Sequence, residues 1–415
     1  MRVLHVSHQY PPAIGGSEKY IADLSEELAR RGHQVDVFTS RSLDYHTWRN
    51  ELGPFEVRNG VNVYRFRSVQ RRAFHWRLLH FGARHYWQTR ARRYELLMLL
   101  GGGPLCPGMF WQLLSQASRY DLIHLNCLVY APVAYGYLTA RWRGVPVLVT
   151  PHAHFEQEVT YGLGHQRAVL KGCDHVLADT PAERAFLMDI GVDAWHITTA
   201  GAGLQPEDYP QQDPIQARRQ LGLPEEAFVL LFLGRKAEYK GFDLTLAAFK
   251  ALQPAHPQLW LVAVGPDTEF SESLLAHEPA PPGFMNLGAV PEDTKLAALN
   301  ACDCLVLPSG GEAFGIVYLE AWIMAKPVVG ARTPAVSTLI DHGQDGFLAA
   351  PGDINDLTAC LARLLDDPDL ARRMGERGRA KVLKRYTVPR ITDIVEGVYL
   401  RLLRRRWRES SRRAV

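Results

Sequence analysis

The sequence predicts an α/β protein of two domains, each built on a parallel sheet. Three observations point there. At 415 residues the chain exceeds what one hydrophobic core usually supports, so two domains of roughly 200 residues are the default. In the N-terminal half, short apolar runs alternate with helical patterns, the signature of βαβ units. From about Phe228 the same alternation starts again.

Taken in order, Arg2–Ser7 reads as a buried strand, followed by an amphipathic helix over Gly16–Arg31 that Gly32 ends. Val35–Thr39, Asp121–Asn126, Pro146–Thr150 and His175–Ala178 read as further strands, with a helix from about Pro181. Ile197–Thr199 leads into Ala200-Gly201-Ala202-Gly203, a hinge, and the Pro-rich stretch Pro206–Pro224 reads as a linker. Beyond it come strand Phe228–Gly234, helix Phe242–Ala251, strand Leu259–Gly265 and a helix-bearing segment from Ala289. Cys304–Leu307, Pro327–Gly330 and Gly346–Ala350 supply three more strands, and about Val388 to Arg406 a last helix.

Composition narrows the class. Hydrophobic content of 47% and charged content of 22% are ordinary for a globular protein, and a net charge of +3 is too small to imply nucleic acid. The six cysteines show no metal-type grouping, and a reducing, cytoplasmic compartment is the simpler reading. Met1 runs straight into a strand, so no signal peptide is expected. The uncharged run Leu96 to Ser118 carries Gly101, Gly102, Gly103, Pro104 and Pro107, which argues against a clean transmembrane helix.

The most informative segment runs from Ser309 to Val329. It reads as strand end, Gly-rich loop, helix start and a second strand opening at Pro327. Glu312 stands in the loop and Glu320 inside the helix, about 12 Å apart at helical rise, roughly the span from a sugar ring across a diphosphate to a ribose. Between them a helix N-terminus near Phe314, Gly315 and Ile316 offers unpaired N–H groups that suit phosphate. That outlines a nucleotide-sugar site. Arg235 and Lys240, within Gly234 to Gly241, follow directly on an apolar strand, where α/β folds bind ligands. Arg grips phosphate bidentately and Lys acts as a mobile point charge. Lys236 is an extra cation without an assigned role.

Gly15-Gly16-Ser17-Glu18 follows the first strand and opens a helix, letting backbone approach a phosphate closely. No GxGxxG fingerprint is present, which counts against a dinucleotide dehydrogenase. His152 and His154 end the strand at Thr150, where an imidazole can meet a sugar hydroxyl; His152 is favoured by position. Gly265-Pro266-Asp267 ends another strand.

The pattern P-S-x-x-E-x-F-G-x-x-x-x-E-A from Pro308 to Ala321 resembles the donor-site motif of the retaining glycosyltransferases of family 4, also called group 1. Gly234 to Gly241 resembles that family's G-R-x-x-x-x-K-G, and Gly15 to Glu18 its G-G-x-E loop. The chain departs from the family at Ala153, Ala325 and Ala200–Gly203. The resemblance implies the GT-B fold: two Rossmann-like domains facing each other across a cleft, with a C-terminal helix crossing back to the first. Residues 1–204, with a helix at about 388–415, would be the acceptor-side domain, and residues 205–387 the nucleotide-sugar donor domain.

It further implies that Arg235 and Lys240 neutralise the diphosphate, Glu312 meets the donor sugar, and Glu320 holds the ribose diol. His152 would contact the transferred sugar. Gly15 and Gly16 would line the cleft, Gly265 would turn beneath the nucleotide, and Val290, in Leu287 to Glu292, would border the base. The expected activity is retaining, metal-independent transfer of a hexose from a UDP- or GDP-sugar to a hydroxyl of a glycan or lipid-linked glycan, as in polysaccharide or glycoconjugate biosynthesis. No cofactor beyond that donor and no metal is expected, since no D-x-D motif ends a strand. A nucleotide-sugar 2-epimerase and a non-catalytic nucleotide-sugar-binding partner of a glycan assembly complex are the alternatives.

Arg65 to Arg93 is dense in Arg and aromatics, and Leu400 to Trp407 interleaves apolar and cationic residues. Such mixtures suit peripheral contact with an anionic membrane surface, on the inner face. A solvated helix face over core aromatics is the other reading. No nucleic-acid motif accompanies them.

Overall fold

The computed structural model describes residues 1–153, 161–276 and 281–413. Contacts divide the chain into two units, Met1–Ala202 with Val388–Val415, and Gly203–Thr387.

In the first unit, an eight-stranded sheet runs in the order β3-β4-β2-β1-β5-β6-β7-β8. The strands are β1 (Arg2–Ser7), β2 (Gln34–Ser40), β3 (Phe55–Arg58), β4 (Val61–Phe66), β5 (Leu122–Asn126), β6 (Val147–Thr150), β7 (His175–Ala178) and β8 (Ile197–Thr199). All neighbours are parallel except β3 against β4. Leu4, Val6, Ile123, Leu125, Val147 and Val149 sit in one core because parallel strands are covered on both faces.

The segment Leu43 to Arg119, which composition alone described, forms the β3–β4 hairpin and then helices Ala73–Thr89, Arg92–Gly102 and Pro107–Gln116. The first two pack as a hairpin around Tyr86 and Met98, with Leu79, Ala83 and Trp87 beside them. Phe74, Phe81, Leu96 and Leu100 of that hairpin are exposed, while the Arg90 guanidinium lies 3.8 Å over the Trp87 ring. In this region some aromatics pack and others face outward. No single helix among the described residues is long and apolar enough to cross a membrane; Arg92–Gly102 and Pro107–Arg119 reach that composition only as a pair bent by 103°.

The last helix, Val388–Arg413, packs on helix Gly16–Arg30 of the same unit. Arg31 bridges them, pairing with Glu27, Asp393 and Glu396 at 2.8 Å each. Deeper in, the fully buried Tyr399 hydroxyl meets His124 Nδ1 at 2.6 Å and His5 Nε2 at 3.2 Å. Burial drives the His5 ring down to about 3 and holds His124 well below the usual histidine value.

The second unit holds six parallel strands in the order β11-β10-β9-β12-β13-β14. They are β9 (Phe228–Leu233), β10 (Leu259–Val264), β11 (Phe284–Gly288), β12 (Cys304–Leu307), β13 (Val328–Ala331) and β14 (Gly346–Ala349).

The Pro-rich stretch Pro206–Pro224 is not a linker. It is folded into this unit and carries helix Pro214–Leu221. Pro214 opens that helix, the Asp213 side chain accepts from Ile215 N, and Gly222 closes it at φ 73°. Arg218 then donates to both Asp303 oxygens and to the Ala301 carbonyl. The prolines mark helix ends here, not freedom.

Helix Pro368–Arg385 crosses helix Ile316–Ile323 where Gly378 lies on Trp322: a Cβ at Gly378 would stand 2.0 Å from Trp322 Cδ1. Gly378→Ala is therefore expected to destabilise the protein by about 1–3 kcal/mol through overpacking. Chemical denaturation measures it, and an unchanged midpoint would refute the packing argument.

Candidate functional site

In the second unit the C-terminal ends of β9, β10 and β12 carry the motif residues on one edge of the sheet, as parallel strands require. Gly234 and Gly265 end β9 and β10 side by side. A Cβ at Gly265, whose φ is 126°, would stand 2.1 Å from the Gly234 carbonyl, so only glycine fits. The loop after β9 is sewn to the loop after β12: the Tyr239 carbonyl accepts from Gly310 N at 2.7 Å and Ser309 Oγ at 3.2 Å.

That stitching brings Lys240 to Glu312. Their Nζ and Oε1 stand 2.6 Å apart, with the side chains 16% and 8% exposed. Burial alone would lower the Lys240 ammonium, but the Glu312 carboxylate and then Tyr239 together more than offset it, and the group is held above the usual lysine value. Arg235 lies near enough to Lys240 to oppose that rise. Glu312 leads through Phe314, which is buried, to Gly315, the N-cap of helix Ile316–Ile323.

Glu320, buried inside that helix, is also paired. Its Oε1 accepts from Lys295 Nζ at 2.9 Å and Tyr209 OH at 2.8 Å. Burial opposes the Lys295 charge, yet Glu320 and Glu292 hold it above its usual value. Neither partner is marked by a motif in the sequence. Lys295 carries a weak signal, three residues after Glu292 at a helix start, whereas Tyr209 fell in the stretch read as a linker.

Lys236 has a structural place. It is fully buried, donates to the Gly265 carbonyl and pairs with Asp267 at 3.3 Å. Burial lowers its ammonium below the usual value and Asp267 offsets this only in part. Asp267 Oδ1 also accepts from Asn286 Nδ2 at 3.1 Å, which ties the ends of β10 and β11 together. Val290 follows β11, two residues beyond Gly288.

In the first unit, Gly15 precedes helix Gly16–Arg30, and a Cβ there would meet Glu18 Oε2 at 2.2 Å. Glu18 is buried and pairs with His8 Nε2 at 2.9 Å. Burial raises its carboxyl, but His8 and the Ser17 hydroxyl outweigh that and hold it below the usual range. The G-G-x-E glutamate thus fixes its own loop.

His152 follows β6 with a left-handed φ of 50°. Its Nδ1 meets Asp179 Oδ2 at 2.7 Å and its Nε2 meets Asn126 Oδ1 at 2.9 Å. Asn126 is oriented by donating from Nδ2 to Ser7 Oγ and the Ser17 carbonyl. Glu183 receives Ala153 N at 2.7 Å and also Asp179 N, so it pins the turn that carries the imidazole. Burial and the neighbouring Asp179 charge push the Glu183 carboxyl well above its usual value. Thr180-Pro181-Ala182-Glu183 is a capping-box pattern, which was the available sequence signal for this support. His154 lies outside the described residues. No three His, Cys, Asp or Glu side chains gather as a metal-ion donor set among the described residues.

The Lys295–Glu320 pair gives a direct test. Lys295→Met leaves the buried Glu320 carboxylate without its cation, with Tyr209 its remaining donor, and is expected to cost about 3 kcal/mol. The double variant Lys295→Met/Glu320→Gln should recover most of it, measured as non-additivity in denaturant unfolding. Additive losses would mean the two side chains do not interact.

With this geometry in hand, the chain can be compared with known proteins. The family profile "Glycosyl transferases group 1" matches residues 214–381 and "Glycosyl transferase 4-like domain" matches residues 15–203. Among curated relatives, a D-inositol 3-phosphate glycosyltransferase 2 of Catenulispora acidiphila is 27% identical over 90% of this chain and 88% of its own length. A D-inositol 3-phosphate glycosyltransferase of Thermobispora bispora is 29% identical over 86% and 82%. Among solved structures, sucrose-phosphate synthase from Thermosynechococcus elongatus aligns with a TM-score of 0.75 at 22% identity, covering 97% of this chain and 98% of that one. Anabaena HepE in complex with UDP-glucose aligns with a TM-score of 0.73 at 20% identity, covering 96% and 99%. Both profiles, these relatives and the shared two-sheet architecture agree, and the chain belongs to the group 1, family 4-like glycosyltransferases of GT-B fold.

Proposed function

We propose that this glycosyltransferase moves a hexose from a UDP- or GDP-sugar to a hydroxyl of a glycan or lipid-linked glycan, with retention at the anomeric carbon and without a resident metal. The observation that carries the donor half is the close pairing of Lys240 with Glu312 beside a helix start at Gly315. A cation, Arg235 near it and the helix N-terminus at Ile316 suit a diphosphate. Glu312 stands one short loop away, where it can accept hydrogen bonds from sugar hydroxyls. Glu320 lies one helical turn further in, suited to a ribose diol once it shares its Lys295 and Tyr209 partners.

On this reading the step is dominated by charge. As the glycosidic C–O bond to the diphosphate breaks, negative charge grows on the leaving oxygen, and Lys240 and Arg235 stabilise it more in the transition state than in the ground state. HepE is described with UDP and UDP-glucose, which supports the same donor class here. His152 is assigned to the transferred sugar. Since both its nitrogens already face Asp179 and Asn126, a hydroxyl would be met by sharing the Nε2 side with Asn126.

For the acceptor, the exposed Phe74, Phe81, Leu96 and Leu100 among arginines support peripheral membrane contact from a cytoplasmic location and a lipid-linked glycan. A second reading comes from the relatives' name, D-inositol 3-phosphate glycosyltransferase, which favours a small phosphorylated cyclitol. An acceptor panel of lipid-linked saccharides and inositol phosphate separates the two.

Glu312→Ala is expected to remove most turnover, a loss of about 100-fold or more, without loss of nucleoside diphosphate affinity. Equal loss of both would contradict its role at the sugar. Turnover should be unchanged by EDTA; restoration by added Mg²⁺ after chelation would overturn metal independence.

A further inference from the structure

We infer that Lys240 and Glu312 form an exchange pair that makes the site prefer an intact nucleotide-sugar over the bare nucleoside diphosphate. The inference rests on the donor reading above and goes beyond it, to how substrate is told from product.

Without ligand, each member of the pair has the other. Nζ and Oε1 stand 2.6 Å apart and little of either side chain is exposed. A diphosphate entering beside the helix start competes for the same Nζ, and on this inference the pair opens. What happens next depends on the ligand. An intact donor brings phosphate for Lys240 and sugar hydroxyls for Glu312, so both buried charges keep partners. A bare diphosphate satisfies Lys240 alone. Glu312 is then a poorly hydrated carboxylate without its cation, facing a like charge on the phosphate.

The second carboxylate shows why this property belongs to Glu312. Glu320 is buried to a similar degree, but Lys295 and Tyr209 both serve its Oε1, and Lys295 is also held by Glu292 at 2.7 Å. Two supports remain available there when a ribose arrives. Among the described residues Lys240 pairs with no second carboxylate, and its elevated basicity traces to Glu312 ahead of every other favourable neighbour. After transfer the sugar leaves with the acceptor, Glu312 loses its hydroxyl donors, and re-pairing with Lys240 favours departure of the nucleotide.

The test is calorimetric titration of the full chain with UDP, UDP-glucose, GDP and GDP-mannose, using wild type, Glu312→Gln and Lys240→Met. Wild type should bind one sugar nucleotide about tenfold more tightly than its diphosphate. Glu312→Gln should erase that preference by binding the diphosphate about tenfold more tightly than wild type does. Lys240→Met should weaken both ligands yet keep the preference, because the carboxylate is retained. This arm stands even where Glu312→Gln folds poorly. A Glu312→Gln protein that binds the diphosphate no more tightly than wild type, or a Lys240→Met protein without preference, overturns the exchange while leaving the donor reading standing. Wild type that binds none of the four ligands overturns both.

Discussion

The Lys240–Glu312 ion pair, 2.6 Å long and almost out of water, constrains everything built around it. Desolvating two charges costs several kcal/mol each, and their attraction offsets this only when the geometry is held. The residues are 72 positions apart in sequence, so the sheet must supply that hold. It does so through strand order. β9 lies between β10 and β12, with Leu231 in register with Leu305, so the loops leaving β9 and β12 emerge side by side. The Tyr239 carbonyl then fastens one loop to the other. Lys236 fastens the first loop to the end of β10 through Gly265 and Asp267. The cation without a motif role is thus the one that anchors the loop bearing the cation that has one.

The first unit meets a different constraint. Its central strands carry polar side chains at fully buried positions: His5, Ser7, His124 and Asn126. Such groups are tolerated only when satisfied. Ser25 and Tyr399 serve His5, while Tyr399 and Thr150 serve His124. Thr150 meets Tyr20 at 3.3 Å, and the Tyr20 ring stands edge-on to His152 at 4.9 Å. A continuous polar seam therefore runs from the C-terminal helix to the imidazole that ends β6. The helix from the end of the chain is an internal part of this unit, because removing Tyr399 would leave two buried imidazoles short of partners.

Local chemistry decided what could be read from the sequence. Strands such as Phe228–Leu233 are uninterrupted apolar runs, and the loops after them carry residues whose types state their chemistry, so β9, Arg235, Lys240, Glu312 and Glu320 were legible. The partners of those residues were not. Tyr209 and Lys295 reach Glu320 only through tertiary packing, and Asn126 and Asp179 reach His152 from other strand ends. β3 is hard to read because it is an edge strand with a mixed pattern, Phe55 and Val57 being exposed, whereas β4 beside it alternates buried and half-buried residues from Val61 to Phe66. Pro206–Pro224 misled because prolines at N1 of short helices have the same composition as a linker. Spacing reports which groups lie along one element; it is silent on which element faces it.

These two solutions to charge burial differ in what a ligand can do to them. At the centre of the first unit the His5 and His124 rings are held neutral by burial, and a neutral hydrogen-bonded pair offers little for a charged ligand to displace. Lys240–Glu312 and Lys295–Glu320 in the second unit are ionic and each includes a lysine, whose flexible stem lets the ammonium change partner without backbone movement. On the donor reading, a diphosphate at Lys240 would exchange with the carboxylate through movement of the lysine side chain. On the glycosyl-transfer reading, selectivity between substrate and product then follows from which ligand leaves no buried charge unpartnered, and the sugar is the part of the donor that completes the pairing.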